Sequence, residues 1–399
     1  IELAPSEVDL TALAEPERER EWIRLVRQEA RQPFDLSHAP LLRGTMAHVS
    51  RHEHKLLLTI HHIVADEWSM ELIHQEITQL YDAFAHGRPS PLPELPIQYA
   101  DFASWQREWL QGDVLQKEIA YWKEELAGAS PVLDLVSDKP RPALQSFRGA
   151  TEIFSVPAQL LDRLKRLARQ EQATLFMILE ASFVALLHRY TGQDDILVGT
   201  PIAGRTQSET ERLIGCFLNT VVLRSRFTEQ PSFRSLLRQV RDRALGAFAH
   251  PDLPFERLVA ALAPERDPSR TPLFQVMFVL HNADGVSQVS KVSGNRQLET
   301  GTSKFDLSLL LSETEHGLDG LIEYSTDLFD AETIRRLCRH YGTLLDAIAR
   351  DPDQRVATLP LLTDGERRQL LVEWNDTAVT FPARDRGVHQ LIEAVAERA

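Results

Sequence analysis

The segment TLFMILEASFVALLHRY, residues 174–190, constrains the fold most, because it is apolar on nearly every side of a helix. A helix of this kind has to be buried on all of its faces. Helical patterns such as SFRSLLRQVRDRALGAFAH and a further one from about Ala331 alternate with strand-like segments. Those strand-like segments are ATEIFSVP, DILVGTPIAG, NTVVLRSRF, LFQVMFVL, FDLSLLLSE and DGLIEYS. This part of the chain is therefore predicted to form an α/β (α+β) lobe around a buried helix.

The first third of the chain alternates in the same way. A helix is predicted through Trp22 to Ala30, strands in LLRGTMAHVS and HKLLLTI, and another helix from Met70 to Phe84. Two shorter helices, around 99–110 and 114–126, precede the proline-containing stretch GASPVLDLVSDKPRPALQ. The pattern predicts two lobes of similar kind. The predicted divisions are a first lobe at 1–130, a connector at 131–149, a second lobe at 150–360 and a further segment at 361–399.

Composition excludes several classes of function. Lys and Arg total 44 against 58 Asp and Glu, so the net charge is −14 and no nucleic-acid partner is expected. Two cysteines, Cys216 and Cys338, are too few for a disulfide framework or a cysteine-rich metal site, which favours a reducing cytosol. The apolar runs are shorter than a membrane span and the chain begins without a signal pattern. We therefore predict a cytoplasmic protein with no membrane partner.

Two adjacent histidines follow a strand in LLLTIHHIVADEWSM, residues 56–70. Neighbouring side chains at a strand end point to opposite faces, so only His61 or His62 can enter a given cavity. Asp66 comes just before the helix near Ser69, where a carboxylate can cap backbone N–H groups or hold an arginine. No third ligand stands at a useful spacing, so no metal site is predicted.

The residues alone leave two interpretations of this stretch open. One histidine acts as a base or orients a substrate, since imidazole titrates near neutrality. Alternatively, both histidines are structural and Asp66 only caps a helix. There is no G-x-S-x-G nucleophile pattern, and GTPIAGR lacks the ending of a phosphate-binding loop. An enzyme of this kind would need a substrate that is activated elsewhere.

Five segments of the chain match, in order, a set of five known motifs. HHIVADEWS resembles H-H-x-x-x-D-G, and YADFASW, beginning at Tyr99, resembles Y-x-D-F/Y-A-x-W. LIGCFLNTVVLR (213–224) resembles I-G-x-F-x-N-T-x-x-x-R, and HPDLPFERLV (250–259) resembles H-Q-D-x-P-F-E-x-L-V. RDPSRTPLFQVMF (266–278) resembles R-D-x-S-R-x-P-L-F-Q-V-x-F. With these motifs the chain resembles the condensation domains of nonribosomal peptide synthetases, and the resemblance covers about residues 1 to 360.

The resemblance implies a V-shaped pair of chloramphenicol-acetyltransferase-like lobes with a tunnel between them. It implies that upstream donor and downstream acceptor carrier proteins deliver thioesters on phosphopantetheine, and that the domain binds no cofactor of its own. The acceptor amine would attack the donor thioester to form a peptide bond. His62 would face the tunnel as a base or an orienting group, whereas His61 and Asp66 would be structural. The candidate partners of Asp66 are Arg205, Arg224 and Arg270.

Three further residues are candidates for contact with substrate or the phosphopantetheine arm. They are Asn219, Trp105 and Ser69. Asn219 could instead satisfy buried backbone groups, and the helical spacing of Tyr99, Phe102 and Trp105 favours packing.

Departures from the family pattern give three further expectations. Two motifs that usually open the domain are missing, so the first lobe is expected to be incomplete at its start. The segment 361–399 resembles the linker and first helix of an adenylation domain, which is therefore an expected partner. Intact histidines disfavour the heterocyclising subtype, and HPDLPFE resembles domains that accept an L-configured donor.

Glu67 stands where the family usually has glycine. It could be a solvated loop residue, or a second acid/base group close to His62 that supports dehydration of a seryl or threonyl acceptor. A third possibility is that the chain is a catalytically silent scaffold that docks carrier proteins.

Overall fold

The computed structural model describes residues 4–265, 267–281, 301–378 and 386–398. The chain forms two compact units, Ile1–Leu359 and Pro360–Ala399. The first unit contains two lobes, each built on its own β-sheet. This agrees with the mixed α/β architecture that the sequence predicts.

The first lobe is built on a three-stranded sheet in the order β1-β2-β3, in which β1 and β2 are parallel and β2 and β3 antiparallel. Its elements are β1 (Ser6–Asp9), α1 (Glu15–Arg31), β2 (Leu42–His48), β3 (His54–Ile60), α2 (Glu67–Ala85), α3 (Tyr99–Trp109) and α4 (Gly112–Glu125). The sequence pattern does not predict β1, because the four residues SEVD carry too few apolar positions to show a strand period. The predicted helices and the other two strands are confirmed.

The second lobe is built on a six-stranded mixed sheet in the order β4-β9-β8-β7-β5-β6. Strands β7 and β8 are parallel, and so are β5 and β7, whereas the other neighbours are antiparallel. Its elements are β4 (Gly149–Pro157), α5 (Ala158–Gln170), α6 (Leu175–Thr191), β5 (Asp195–Ile202), β6 (Asn219–Arg226), α7 (Phe233–Phe248), α8 (Phe255–Leu262), β7 (Val276–His281), β8 (Leu307–Thr314), β9 (Gly317–Ser325) and α9 (Ala331–Arg350).

Helix α6 forms the centre of the second lobe, as its all-round apolar pattern predicts. Every residue from Met177 to Leu187 is buried. The helix begins at Thr174, whose side chain accepts the Met177 N–H, and ends at Gly192, which has a left-handed backbone with φ of 70°. Glycine adopts that conformation without the steric penalty that a Cβ brings, so the helix stops there.

Among the described residues, no single helix is both long and apolar enough to cross a membrane. Helices α5 and α6 reach the length and composition of a span only when taken together, and they bend by 104° at the break between them. Most of α6 is buried within the second lobe.

The second unit, taken by itself, begins with the short helix α10 (Asp364–Arg368), which continues as a π-helical turn at Gln369–Glu373. Thr363 caps α10 by accepting the Glu366 N–H, and the Glu366 side chain returns a bond to the Thr363 N–H. A further helix, α11, spans Val388–Ala396.

Candidate active site

A short loop carries the two histidines from the end of β3 to the start of α2. Asp66 caps that helix, because its Oδ1 accepts hydrogen bonds from the Ser69 N–H at 2.8 Å and from the Ser69 hydroxyl at 2.6 Å. A carboxylate at this position satisfies free N–H groups and interacts favourably with the positive end of the helix. The predicted cap is confirmed, and it fixes the end of the histidine loop.

Asp66 also joins the first lobe to the second. Its Oδ1 accepts from Arg205 Nη2 at 3.0 Å and its Oδ2 accepts from the Phe217 N–H at 3.0 Å. The Gly215 N–H donates to the Ser69 hydroxyl at 3.1 Å, and that hydroxyl also lies 2.8 Å from the Gly215 carbonyl. We call these five residues the Asp66 anchor. Asp66 and Ser69 are buried, and only 2% of the Arg205 side chain is exposed.

The carboxyl group of Asp66 is ionised in this setting. Burial is the largest single influence on the pKa of Asp66 and raises it. Hydrogen bonds from Ser69 and Phe217 and the charge of Arg205 together outweigh burial, so the pKa lies below its usual value. The anchor therefore keeps its charge throughout the neutral pH range.

The structure selects Arg205 from the three arginines that are predicted as partners of Asp66. Arg224 instead pairs with Asp195 at 2.6 Å, and Arg270 lies 3.4 Å from Asp267. The prediction is therefore wrong for Arg224 and Arg270. The sequence could not separate the candidates, because the pairing depends on how the loop between β5 and β6 returns to the first lobe.

The two histidines point in different directions. His61 Nδ1 accepts a hydrogen bond from the Ile63 N–H at 3.1 Å, and its ring packs against Phe34 in a T-shaped contact with a centroid distance of 5.8 Å. His62 is exposed, and its Nδ1 lies 3.9 Å from Cys216 Sγ in the second lobe. His61 is thus held within the first lobe, whereas the His62 imidazole reaches the junction of the lobes.

Cys216 is a neutral thiol beside His62. Burial, and after it the charge of Asp66, raises the pKa of the Cys216 thiol above its usual value. Because the thiolate is the reactive form of cysteine, this environment does not make Cys216 a nucleophile.

Two of the motif segments meet next to His62. The Tyr99 hydroxyl donates to the Cys216 carbonyl at 2.8 Å. A Cβ at Gly215 would lie 2.1 Å from the Tyr99 ring, which is far inside any normal contact. Gly215 is therefore required for the close approach of α3 to the loop between β5 and β6. The glycine of the I-G motif is the feature of the sequence that indicates this packing.

Glu67 makes a second connection between α2 and the second lobe. Its Oε2 lies 3.2 Å from Nδ1 of His281, the last residue of β7. The hydrogen bond to Glu67 raises the pKa of His281 above its usual value, although partial burial of the ring acts in the opposite direction. The sequence gives no reason to single out His281 as the partner of Glu67. The pattern of the strand LFQVMFVL does not indicate which side chain of another element lies opposite its end.

Two predicted ligand-binding residues have structural roles instead. Ser69 is fully buried and bonded within the Asp66 anchor, so its hydroxyl is not available to a substrate. The amide nitrogen of Asn219 donates to the carbonyls of Pro251 and Leu253, and its oxygen accepts from the N–H groups of Thr220 and Phe255. The structure thus favours the backbone-satisfying alternative for Asn219 and a structural role for Ser69, and contact of either residue with the arm stays a prediction.

Trp105 lies on the surface of α3. Its ring stacks on Trp109 with a centroid distance of 5.5 Å and an interplanar angle of 12°, and 42% of the residue is exposed. The stacking supports the packing alternative, and contact with substrate stays a prediction.

No group of three or more histidine, cysteine, aspartate or glutamate side chains comes together as a metal site in the described ranges.

Comparison with known proteins identifies the family. The family model described as "Condensation domain" matches residues 3–371. One of the linear gramicidin synthase proteins of Brevibacillus parabrevis is 47% identical over 402 residues, which cover 100% of this chain and 5% of that protein. The chain therefore belongs to the condensation domain family, and it spans a small part of this curated relative.

Solved structures show the same fold. The X-domain from teicoplanin biosynthesis matches with a TM-score of 0.80 and 26% identity, covering 91% of this chain and 82% of that one. A four-domain nonribosomal peptide synthetase bound to AMP and glycine matches with a TM-score of 0.84 and 22% identity, covering 100% of this chain and 31% of that one. The predicted fold of two chloramphenicol-acetyltransferase-like lobes is confirmed.

Proposed function

We propose that this condensation domain forms a peptide bond between two carrier-bound substrates. The donor is an acyl or peptidyl thioester on an upstream carrier protein, and the acceptor is an aminoacyl thioester on a downstream one. Both arrive on phosphopantetheine, which is part of the substrate. The segment 361–399 would lead to an adjoining adenylation domain, and the boundaries 1–130, 131–149 and 150–360 would delimit the two lobes and their connector.

The observation that carries this proposal is the position of His62. Its imidazole is exposed at the junction of the two lobes, four residues before the buried Asp66 that is bonded to both of them. A rigid anchor next to an accessible imidazole is suited to holding a reacting group in place.

The reaction then needs one nucleophile and one proton acceptor. The neutral amine of the acceptor attacks the donor thioester carbonyl, a C–N bond forms and the C–S bond breaks. His62 accepts a hydrogen bond from the amine, orients it and takes the proton that the nitrogen loses. His62 gives this proton on to the departing pantetheine sulfur, which leaves as a thiol, so that the imidazole returns to its starting state.

Replacing His62 with alanine is expected to lower the rate of dipeptide formation by about 100-fold, the low end of what acid–base groups supply. The effect stays at that end because an α-amine with a pKa of about 8 is already partly neutral at pH 7. The rate is measured by mass spectrometry, with both carrier proteins loaded.

The control is His86→Ala at the exposed far end of α2, which should retain full activity. An unchanged rate in His62→Ala would sink the assigned role. Carrier binding without any product from the wild type would instead favour the silent scaffold.

The same assay with L- and D-configured donors tests the subtype. We expect the L-configured donor to react faster, because residues 250–259 resemble those of domains that accept an L-configured donor.

A second candidate function rests on Glu67, the first residue of α2. It directly follows the loop that carries His62, which we call the His62 loop, and its side chain is 58% exposed. Its Oε2 contacts His281, which leaves Oε1 to accept a proton. For a seryl or threonyl acceptor, loss of the Cα proton to a base and departure of the β-hydroxyl with a proton would eliminate water and leave a dehydro residue.

With a Ser- or Thr-loaded acceptor, the second function predicts a product lighter by one water than the plain dipeptide. Glu67→Gln should then give the amide without loss of water, because an amide side chain does not accept the proton. Mass spectrometry separates the two products, and unmodified peptide from the wild type throughout would rule out dehydration.

A further inference from the structure

The first turn of α2 is bonded to two different elements of the second lobe. The Asp66 anchor holds the loop between β5 and β6, whereas Glu67 reaches the end of β7. Glu67 and Ser69, the anchor residue within the helix, are two positions apart and project about 200° apart around its axis, so the two connections restrain the turn in different directions. The anchor fixes the position of the turn together with Trp68, whose indole Nε1–H donates to the Glu211 carbonyl of the same loop at 2.9 Å. The Glu67 contact adds a restraint on the rotation of the turn.

These two connections differ in their response to pH. The anchor stays charged across the neutral range, because the pKa of Asp66 is lowered. The Glu67 contact depends on a histidine, and imidazole is the side chain that ordinarily changes charge between pH 5 and 8. One connection is therefore permanent and the other can be released.

We propose that His281 is a positioning residue for condensation: its imidazolium holds Glu67 and thereby orients the His62 loop against the end of β7. This inference rests on the proposed peptide-bond function and adds a residue from the second lobe to it. It concerns the orientation of the loop and holds whether or not Glu67 also removes water.

The surroundings of His281 favour Glu67 as its electrostatic partner. On β8 the residue in register with His281 is Ser312, and the next, Glu313, is paired with Lys165 of α5. Strand β5 continues beyond Gly199 with Thr200, Pro201 and Ile202, none of which is ionisable. Within the described ranges, Glu67 on α2 is therefore the charged group in contact with the His281 ring.

The sign of the pH effect follows from the raised pKa of His281. Below the ordinary imidazole pKa of about 6.5 the ring is protonated and the pair is formed. As the pH rises through the higher pKa of the folded state, the ring loses its proton and the contact weakens. The expected loss in kcat/KM is about threefold to fivefold, because a solvent-screened pair contributes little free energy.

The test compares His281→Arg with the wild type in the full-length protein, using loaded carrier proteins from pH 6 to 8.5. Arginine keeps its charge over this range, so the ratio of kcat/KM for variant over wild type should rise threefold to fivefold with pH. Taking a ratio cancels every pH effect that the two enzymes share, including that of the acceptor amine. The matched control is His86→Arg, which alters a histidine–aspartate pair at the other end of the same helix and should give a flat ratio.

A second measurement, the NMR titration of the His281 ring, does not depend on activity. Its pKa should fall in Glu67→Gln and stay unchanged in His86→Arg. A flat kcat/KM ratio for His281→Arg, or an unchanged His281 pKa in Glu67→Gln, would overturn the positioning role. If instead no enzyme gives a His62-dependent product, the peptide-bond proposal fails, and the NMR titration still decides whether Glu67 holds His281.

Discussion

Asp66→Ala is expected to lower the free energy of unfolding by about 3–5 kcal/mol, because it leaves a buried guanidinium without its counter-charge. Only 2% of the Arg205 side chain is exposed, and Asp66 is its carboxylate partner at 3.0 Å. The substitution also removes the acceptor of the Phe217 N–H and the cap of α2. Chemical denaturation, monitored by the fluorescence of the tryptophans, measures the loss.

A double-mutant cycle separates the unpaired charge from the lost cap. Arg205→Met removes the charge, so Asp66→Ala combined with Arg205→Met should be more stable than the sum of the two single losses predicts. The double variant should still be less stable than the wild type, because Arg205→Met also removes the hydrogen bond that Arg205 donates to the Leu213 carbonyl. Strict additivity of the two losses would contradict the account. Glu21→Ala, which breaks an exposed helix pair with Arg24, is the control and should change stability by less than about 0.5 kcal/mol.

The Asp66 contribution has a defined pH window. Its pKa is lower in the folded chain than in the unfolded one, so its stabilisation is fully present above the unfolded pKa of about 4. It is lost as the pH falls through the folded pKa. The stability difference between the wild type and Asp66→Ala should therefore shrink in acid.

Much of the site was predictable because its chemistry lies in contiguous motifs. The cap at Asp66, the different surroundings of His61 and His62, and the short helices all follow from patterns of a few residues. The role of Ser69 was not predictable from the sequence. A serine three residues after a capping aspartate gives the same sequence pattern whether its side chain is buried or accessible to a ligand. Only its contact with Gly215, 146 residues away in sequence, decides this.

Long-range pairing also explains why His281 was missed. A histidine at the end of a strand has no partner in the sequence, and its contact with Glu67 depends on how the two lobes meet. The sequence shows that Glu67 replaces the glycine usual in the family, whereas it does not show which residue contacts Glu67. Strand β1 was missed for a related reason, since it is defined by parallel pairing with β2 and hardly by its own residues.

Glu180, in the core of the second lobe, is another residue whose state could not be predicted from the sequence alone. The sequence places a glutamate in the middle of an apolar helix, and the helix is buried as predicted. The side chain of Glu180 is fully buried, and neither carboxyl oxygen has a hydrogen-bond partner among the described residues. Burial raises the pKa of Glu180 to about 8. Its charge at neutral pH is thus set by the fold and not by its residue type.

Replacing Glu180 with methionine is expected to stabilise the chain increasingly as the pH rises. The unfolded chain ionises Glu180 near pH 4.5 and the folded chain only near 8, so the wild type loses stability between these values. Each pH unit in that window removes up to about 1.4 kcal/mol. The stability advantage of Glu180→Met should therefore grow by about 3–4 kcal/mol from pH 5 to pH 8. Denaturation curves at a series of pH values measure it.

Glu180→Gln separates the charge from the polarity of the side chain. Glutamine does not titrate, so this variant should lose the same pH dependence as Glu180→Met. It should be less stable than the methionine variant at every pH, because its amide is buried in the same apolar surroundings at a cost of about 1–3 kcal/mol. If the wild type and both variants gave parallel curves of stability against pH, Glu180 would not be the group that titrates. The cost of the buried acid would then have to lie in its polarity alone.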